Sequence, residues 1–168
     1  LALALRAKLV IADEPTTSLD VIVEAKFLEL LKELQQEFGL TILLITHNIG
    51  VVAEVADRVA VMYAGRMAEI GSSYGVFDEP MHPYTQGLLR SVPNIRLGEG
   101  DLYKMEGAPP SLLNPPSGCR FHPRCPDAMP VCGRMEPELL PAVDGHLVHC
   151  WLYQDHPDEQ GETIKVEA

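Results

Sequence analysis

Within the first 71 residues, short unbroken apolar runs alternate with one long stretch of helical spacing, and this alternation limits the fold more than any other feature of the chain. The runs Leu9 to Ala12, Ile42 to Ile45 and Val59 to Met62 are short and lack polar alternation, which is the pattern of buried strands. Between the first two lies a helix expected over 21–38. There Phe27, Leu28, Leu31, Leu34 and Phe38 recur every three to four residues, with Asp20 placed as N-cap and Gly39 as the stop. A second helix is expected after Asn48, through Val51, Val52 and Val55. Strands at Val59 to Tyr63 and Met67 to Ile70 are spaced for a hairpin across Ala64-Gly65-Arg66. Strand, helix and strand in this order argue an α/β layer.

The texture changes near residue 76. A short helix, Tyr84 to Ser91, sits between Pro83 and Pro93, and nine of the 14 prolines then fall between residues 109 and 141. Residues with locked φ and no backbone donor leave little room there for helix or central strand. The expected divisions are therefore 1–75, 76–153 and an acidic tail, 154–168, read as disordered. The opening residues Leu1 to Ala7 read as the last turns of a helix with no cap before it, and the first Met is Met62. The chain is accordingly read as a fragment whose N-terminal part is missing.

Charge narrows the range of functions. The 13 Lys and Arg face 24 Asp and Glu, a net of -11, which disfavours nucleic acid as a partner because nothing offers a basic surface to a phosphate backbone. The longest apolar stretch is Val59 to Ala64, far short of the roughly 20 residues that span a bilayer.

Two carboxylates end the first strand. Asp13, delivered to the C-terminal edge of a buried strand, could orient Mg²⁺, and Glu14 beside it could act as base toward an attacking water. The pair reads equally as an acidic strand-to-helix turn broken by Pro15. A second apolar strand ends in Thr46-His47, where a histidine could donate to a terminal phosphate or simply be satisfied in its loop.

The run Leu9 to Glu14, then Ser18-Leu19-Asp20, then Thr46-His47 resembles the ATPase subunits of ATP-binding-cassette (ABC) transporters, respectively their Walker B strand, D-loop and switch histidine. The resemblance implies the C-terminal part of an ABC-type (RecA-like) ATPase domain. In it Asp13 positions Mg²⁺, Glu14 is the catalytic base, Asp20 contacts a partner subunit and His47 bonds the γ-phosphate of ATP. Asn48 stands where the family often has Asp. The chain contains no Gly-rich Lys-Ser/Thr loop, no Gln-bearing loop and no Ser-Gly-Gly signature, so by itself it is expected to bind ATP poorly and not to be an ATPase.

All four cysteines lie in the Pro-rich region, spaced Cys119-x5-Cys125-x6-Cys132-x17-Cys150. No Cys-x2-4-Cys knuckle supports zinc, although His122, His146 or His149 could substitute for a ligand. Disulfides in three pairings, an iron-sulfur cluster with Arg120, Arg124 and Arg134 offsetting its charge, and four unlinked thiols all remain open.

Residues 82–93, from His82-Pro83-Tyr84 to Ser91-Val92-Pro93, then Gly107-Ala108-Pro109-Pro110-Ser111-Leu112 and Gly118-Cys119 to Cys125-Pro126, resemble the C-terminal extension of the oligopeptide/dipeptide importer subset of ABC ATPases. The resemblance covers residues 1 to about 153. It implies a 4Fe-4S cluster, as some members carry, on Cys119, Cys125, Cys132 and Cys150. It further implies an ATP-hydrolysing subunit at the cytoplasmic face of the plasma membrane, paired with a homologous ATPase subunit and with transmembrane permease subunits. Two alternatives stand beside it: a non-catalytic module that keeps only the cluster, and the ATPase subunit of a nickel or oligosaccharide importer.

Overall fold

A computed structural model describes residues 7–92, 104–143, 145–158 and 160–166, and it is mixed α and β. The chain divides into two compact units, Leu1–Ala56 and Asp57–Ala168. The terminal helical turns expected over Leu1 to Ala7 fall almost wholly outside the described residues.

In the first unit β1 (Leu9–Asp13) and β2 (Thr41–Ile45) pair in parallel, with Leu9 opposite Thr41 and Asp13 opposite Ile45. The crossover between them is α1 (Val21–Phe38). Its start is fixed by Asp20, whose Oδ1 accepts the backbone N–H groups of Ile22 and Val23 at 3.0 and 2.9 Å. Its end is fixed by Gly39 at φ 61°, a left-handed conformation that glycine adopts without a Cβ clash. Leu28 is the buried anchor of α1, and Phe27, Leu31 and Leu34 are half-buried. Phe38, expected on the same face, is exposed because the helix ends there. α2 (Ile49–Val55) is capped by Asn48, which accepts from Gly50 and Val51, and buries Val51.

The second unit is built on a four-stranded antiparallel sheet. Here β3 (Arg58–Tyr63), β4 (Arg66–Ser72), β5 (Leu140–Val143) and β6 (His146–Val148) lie in the order β3-β4-β6-β5. The β3–β4 turn places Ala64 and Gly65 at φ 46° and 78°, the left-handed pair that a two-residue hairpin matched to strand twist requires. Sheet pairing between β4 and β6 ties residues on both sides of position 75 into one unit, so the change in texture at 75/76 is not a boundary between compact bodies. The proline-rich region also supplies a central strand, β6, which the proline count argued against. The reason is local: no proline lies between Pro141 and Pro157, and Pro141 itself stands in the edge strand β5.

Two short helices, α3 (Ser73–Asp78) and α4 (Pro83–Arg90), pack on β4. The cysteine-rich segment runs through 3₁₀ turns at His122–Arg124, Pro130–Gly133 and Trp151–Tyr153. Its core joins Tyr63, Phe121, Val131 and Trp151 to Cys119 and Cys132. The rings of Tyr63, Tyr84 and Phe121 lie 4.6 to 5.5 Å apart in tilted and edge-on contacts. In the tail read from sequence as disordered, β7 (His156–Pro157) and β8 (Thr163–Ile164) form a small hairpin, with Lys165 paired to Asp155 at 2.6 Å. Among the described residues no helix is long and apolar enough to cross a membrane.

Candidate functional site

Parallel pairing of β1 with β2 brings the ends of both strands to one edge. Pro15 cannot donate a ladder hydrogen bond, so the chain turns immediately after the carboxylates. Glu14 is the pivot: its N–H donates to the Ile45 carbonyl at 2.8 Å, continuing the sheet by one bond, while its φ of 46° is left-handed for a residue with a Cβ. Such strain costs on the order of 1–3 kcal/mol and persists where the surroundings over-determine it. Here those surroundings are the sheet bond, a Thr17 N–H bond to the Glu14 carbonyl at 3.2 Å, and a Leu19 N–H bond to the Thr16 carbonyl at 3.1 Å.

The turn aims the Glu14 carboxylate at His47. Nδ1 of His47 lies 2.8 Å from Glu14 Oε1, and the Thr17 hydroxyl donates to Oε2 at 3.2 Å. The hydrogen bond from His47 holds the Glu14 carboxyl below its usual range, with Thr17 helping. An ionised carboxylate only accepts, so Nδ1 of His47 carries the proton in this pair and Nε2 is the nitrogen left for an outside group. The imidazole is largely open to solvent, as a group that meets a ligand must be. Asp13 stands next to Glu14 at the same strand end, exposed and opposite Ile45. The edge thus gathers Asp13, Glu14 and His47: two carboxylates and an imidazole.

Asp20 is placed differently. Both of its hydrogen bonds are to the first turn of α1, so its shown role is the helix cap.

The cysteines are free thiols, with Cys119, Cys132 and Cys150 buried and Cys125 half-buried. Burial pushes the Cys119 thiol up, Cys125 up to about 11 and Cys150 up to about 12, and repulsion from neighbouring thiolates adds to the rise. Cys119 N–H donates to the Cys132 carbonyl at 2.8 Å, and Met129 N–H reaches Cys132 Sγ at 3.4 Å. Among the described residues, no three His, Cys, Asp or Glu side chains are grouped so as to hold a metal ion. Two of the three arginines expected to offset a cluster's charge have side-chain hydrogen bonds elsewhere. Arg120 Nη1 donates to the Ala64 carbonyl, and Arg124 donates to the Glu106 carbonyl at 3.0 Å and the Tyr63 hydroxyl at 3.2 Å.

Residues 68–132 match the family described as oligopeptide/dipeptide transporter, C-terminal region. The chain is 53% identical over 152 residues to the dipeptide transport ATP-binding protein DppD of Bacillus subtilis (strain 168), covering 90% of this chain and 45% of that protein. It is 52% identical over 161 residues to the oligopeptide transport ATP-binding protein AppD of the same organism, covering 95% of this chain and 49% of that protein. With the dipeptide transport ATP-binding protein DppD of Haemophilus influenzae it shares 48% over 168 residues, 100% of this chain and 50% of that protein. The chain matches the C-terminal region of oligopeptide/dipeptide ABC-transporter ATP-binding proteins. It spans about half the length of the curated relatives it matches.

Two features escaped sequence reading. Thr17, one of two adjacent threonines, gave no signal that its hydroxyl meets the carboxylate of Glu14. Glu69, within the strand expected over Met67 to Ile70, is fully buried. It accepts from the Met81 and His82 amides at 2.8 and 3.0 Å and pairs with His146 Nε2 at 2.6 Å. Partners 12, 13 and 77 positions away in sequence together make that burial tolerable.

Proposed function

We propose that this chain supplies the hydrolytic edge of an ATP-binding subunit that powers uptake of oligopeptides or dipeptides. The observation that carries the reading is the 2.8 Å pair of Glu14 and His47 at the ends of two adjacent parallel strands, with Asp13 beside it. Asp13 would hold the Mg²⁺ that accompanies bound ATP. Glu14, ionised and strained into place, would take the proton of the attacking water, and His47, protonated on both ring nitrogens, would keep Nδ1–H on Glu14 and donate from Nε2–H to the γ-phosphate. The names of the relatives, dipeptide and oligopeptide transport ATP-binding proteins, support the cargo class. The sequence has no Gly-rich Lys-Ser/Thr loop to cradle phosphates, so the reaction requires residues beyond these 168. Asp20 contacts a homologous ATPase subunit, and permease subunits anchor the assembly at the cytoplasmic face of the membrane.

In this reading Cys119, Cys125, Cys132 and Cys150 would hold a 4Fe-4S cluster. Their donor chemistry fits, because four free thiols with low exposure lie in a segment with little regular structure. Their grouping does not form a closed ligand set, so the sulfurs would have to converge when iron binds.

The decisive experiment replaces the base. In a full-length subunit carrying these residues and assembled with its partner, Glu14→Gln keeps ATP binding but lowers turnover by roughly 10²- to 10⁴-fold. Turnover within threefold of wild type would remove Glu14 from the reaction.

A further inference from the structure

The second carboxylate oxygen of Glu14 has a partner for which the proposed reaction has no use so far. Thr17 reaches Glu14 twice. Its N–H bonds the Glu14 carbonyl at 3.2 Å, and its hydroxyl donates to Oε2, also at 3.2 Å. The two bonds close a tight turn over residues 14–17, flanked by left-handed backbone at Glu14 and Ser18, φ 46° and 75°. His47 occupies Oε1 from the neighbouring strand. A carboxylate gripped through only one oxygen swings about its terminal torsion, which is broad and poorly defined in carboxylates. Gripped through both, it presents one face and one set of lone pairs.

We propose that Thr17 is a positioning residue for Glu14, its hydroxyl fixing the carboxylate plane in which a water must be met. This deepens the reading of Glu14 as base and rests on it. The hydroxyl touches neither nucleotide nor water in this role. It acts only through Glu14, so its loss lowers the rate of the chemical step without weakening substrate binding.

Thr17 is exposed, so exchanging it for the near-isosteric valine removes the hydroxyl without opening a cavity. The test measures steady-state ATP hydrolysis by the full-length subunit assembled with its partner, for wild type, Thr17→Val, Thr17→Ser and Glu14→Gln. Thr17→Val is expected to lower kcat by roughly tenfold or more, the scale of one hydrogen bond to a charged group, with KM for ATP within twofold. Thr17→Ser, which restores the donor, is expected to recover kcat to within about threefold of wild type. An inactive Glu14→Gln together with a wild-type kcat in Thr17→Val overturns the positioning role and leaves the base standing. Equal loss in Thr17→Val and Thr17→Ser, or a rise in KM that accounts for the loss, overturns it as well. An active Glu14→Gln overturns the base and the positioning role together.

Discussion

At the scale of single residues, the second unit is held by buried polar groups whose protonation is fixed by their surroundings. His82 caps α4 by accepting the Tyr84 N–H on Nδ1 at 3.0 Å, which a protonated Nδ1 could not do. Burial, reinforced by the charge of His149, lowers its pKa to about 4. The unfolded chain binds a proton at the ordinary histidine value of about 6.5, so below that pH the unfolded state gains protons that the folded state refuses. Stability from this group is therefore complete above pH 6.5 and declines as pH falls toward 4. The loss is about 2 kcal/mol by pH 5, from roughly 1.4 kcal/mol per pH unit. His82→Asn keeps a capping acceptor without the titration. Urea unfolding at pH 7 and pH 5 should show the wild type losing about 2 kcal/mol more than the variant between them, and parallel losses would contradict the assignment.

At the scale of elements, α1 carries the connection between the two strands that hold the candidate site. Its cap falls on one oxygen of Asp20, Oδ1. Asp20→Ala strips two N–H groups of their acceptor and should cost about 1 kcal/mol, whereas Asp20→Asn retains an Oδ1 acceptor and should cost much less. Thermal unfolding of the chain separates the two variants. If Asn instead matches Ala, the carboxylate's charge at the helix N-terminus, rather than its hydrogen bonds, sustains the first turn. At Gly118, φ 64°, an added Cβ would run into the Cys132 carbonyl. The backbone contact between the first and third cysteines thus requires a residue without a side chain.

At the scale of the whole molecule, the two units are stabilised by different means. The first has a small parallel sheet with Leu9, Ile11, Leu43 and Ile45 exposed along one face. The second concentrates its buried aromatic, cysteine and polar groups around an antiparallel sheet. If the cysteines hold the proposed cluster, protein prepared without oxygen contains about four iron and four sulfide per chain and absorbs broadly near ~400 nm. Cys125→Ser should remove most of that iron and expose the cysteine-rich segment to protease, because its 3₁₀ turns have few backbone bonds to fall back on. A colourless preparation with one zinc, or with four freely titratable thiols and unchanged protease resistance, would exclude the cluster.

The sequence by itself determined what depends on near neighbours. The span of α1 follows from the spacing of Leu28 and its neighbours and from Asp20 and Gly39, the hairpin from two strand runs spaced across Ala64-Gly65-Arg66, and the ends of β1 and β2 at Asp13 and Ile45 from apolar runs that stop at polar residues. Each is set by interactions within a few positions, where propensity and capping act. The tertiary structure alone decided what depends on distant partners. It put β6 inside the sheet, buried Glu69 against His146, turned Arg120 to the hairpin turn and Arg124 to Tyr63, and closed the Thr17 hydroxyl onto Glu14. A charged side chain reads as solvated until its partner is known, and a hydroxyl has no direction until the backbone turn beneath it is fixed.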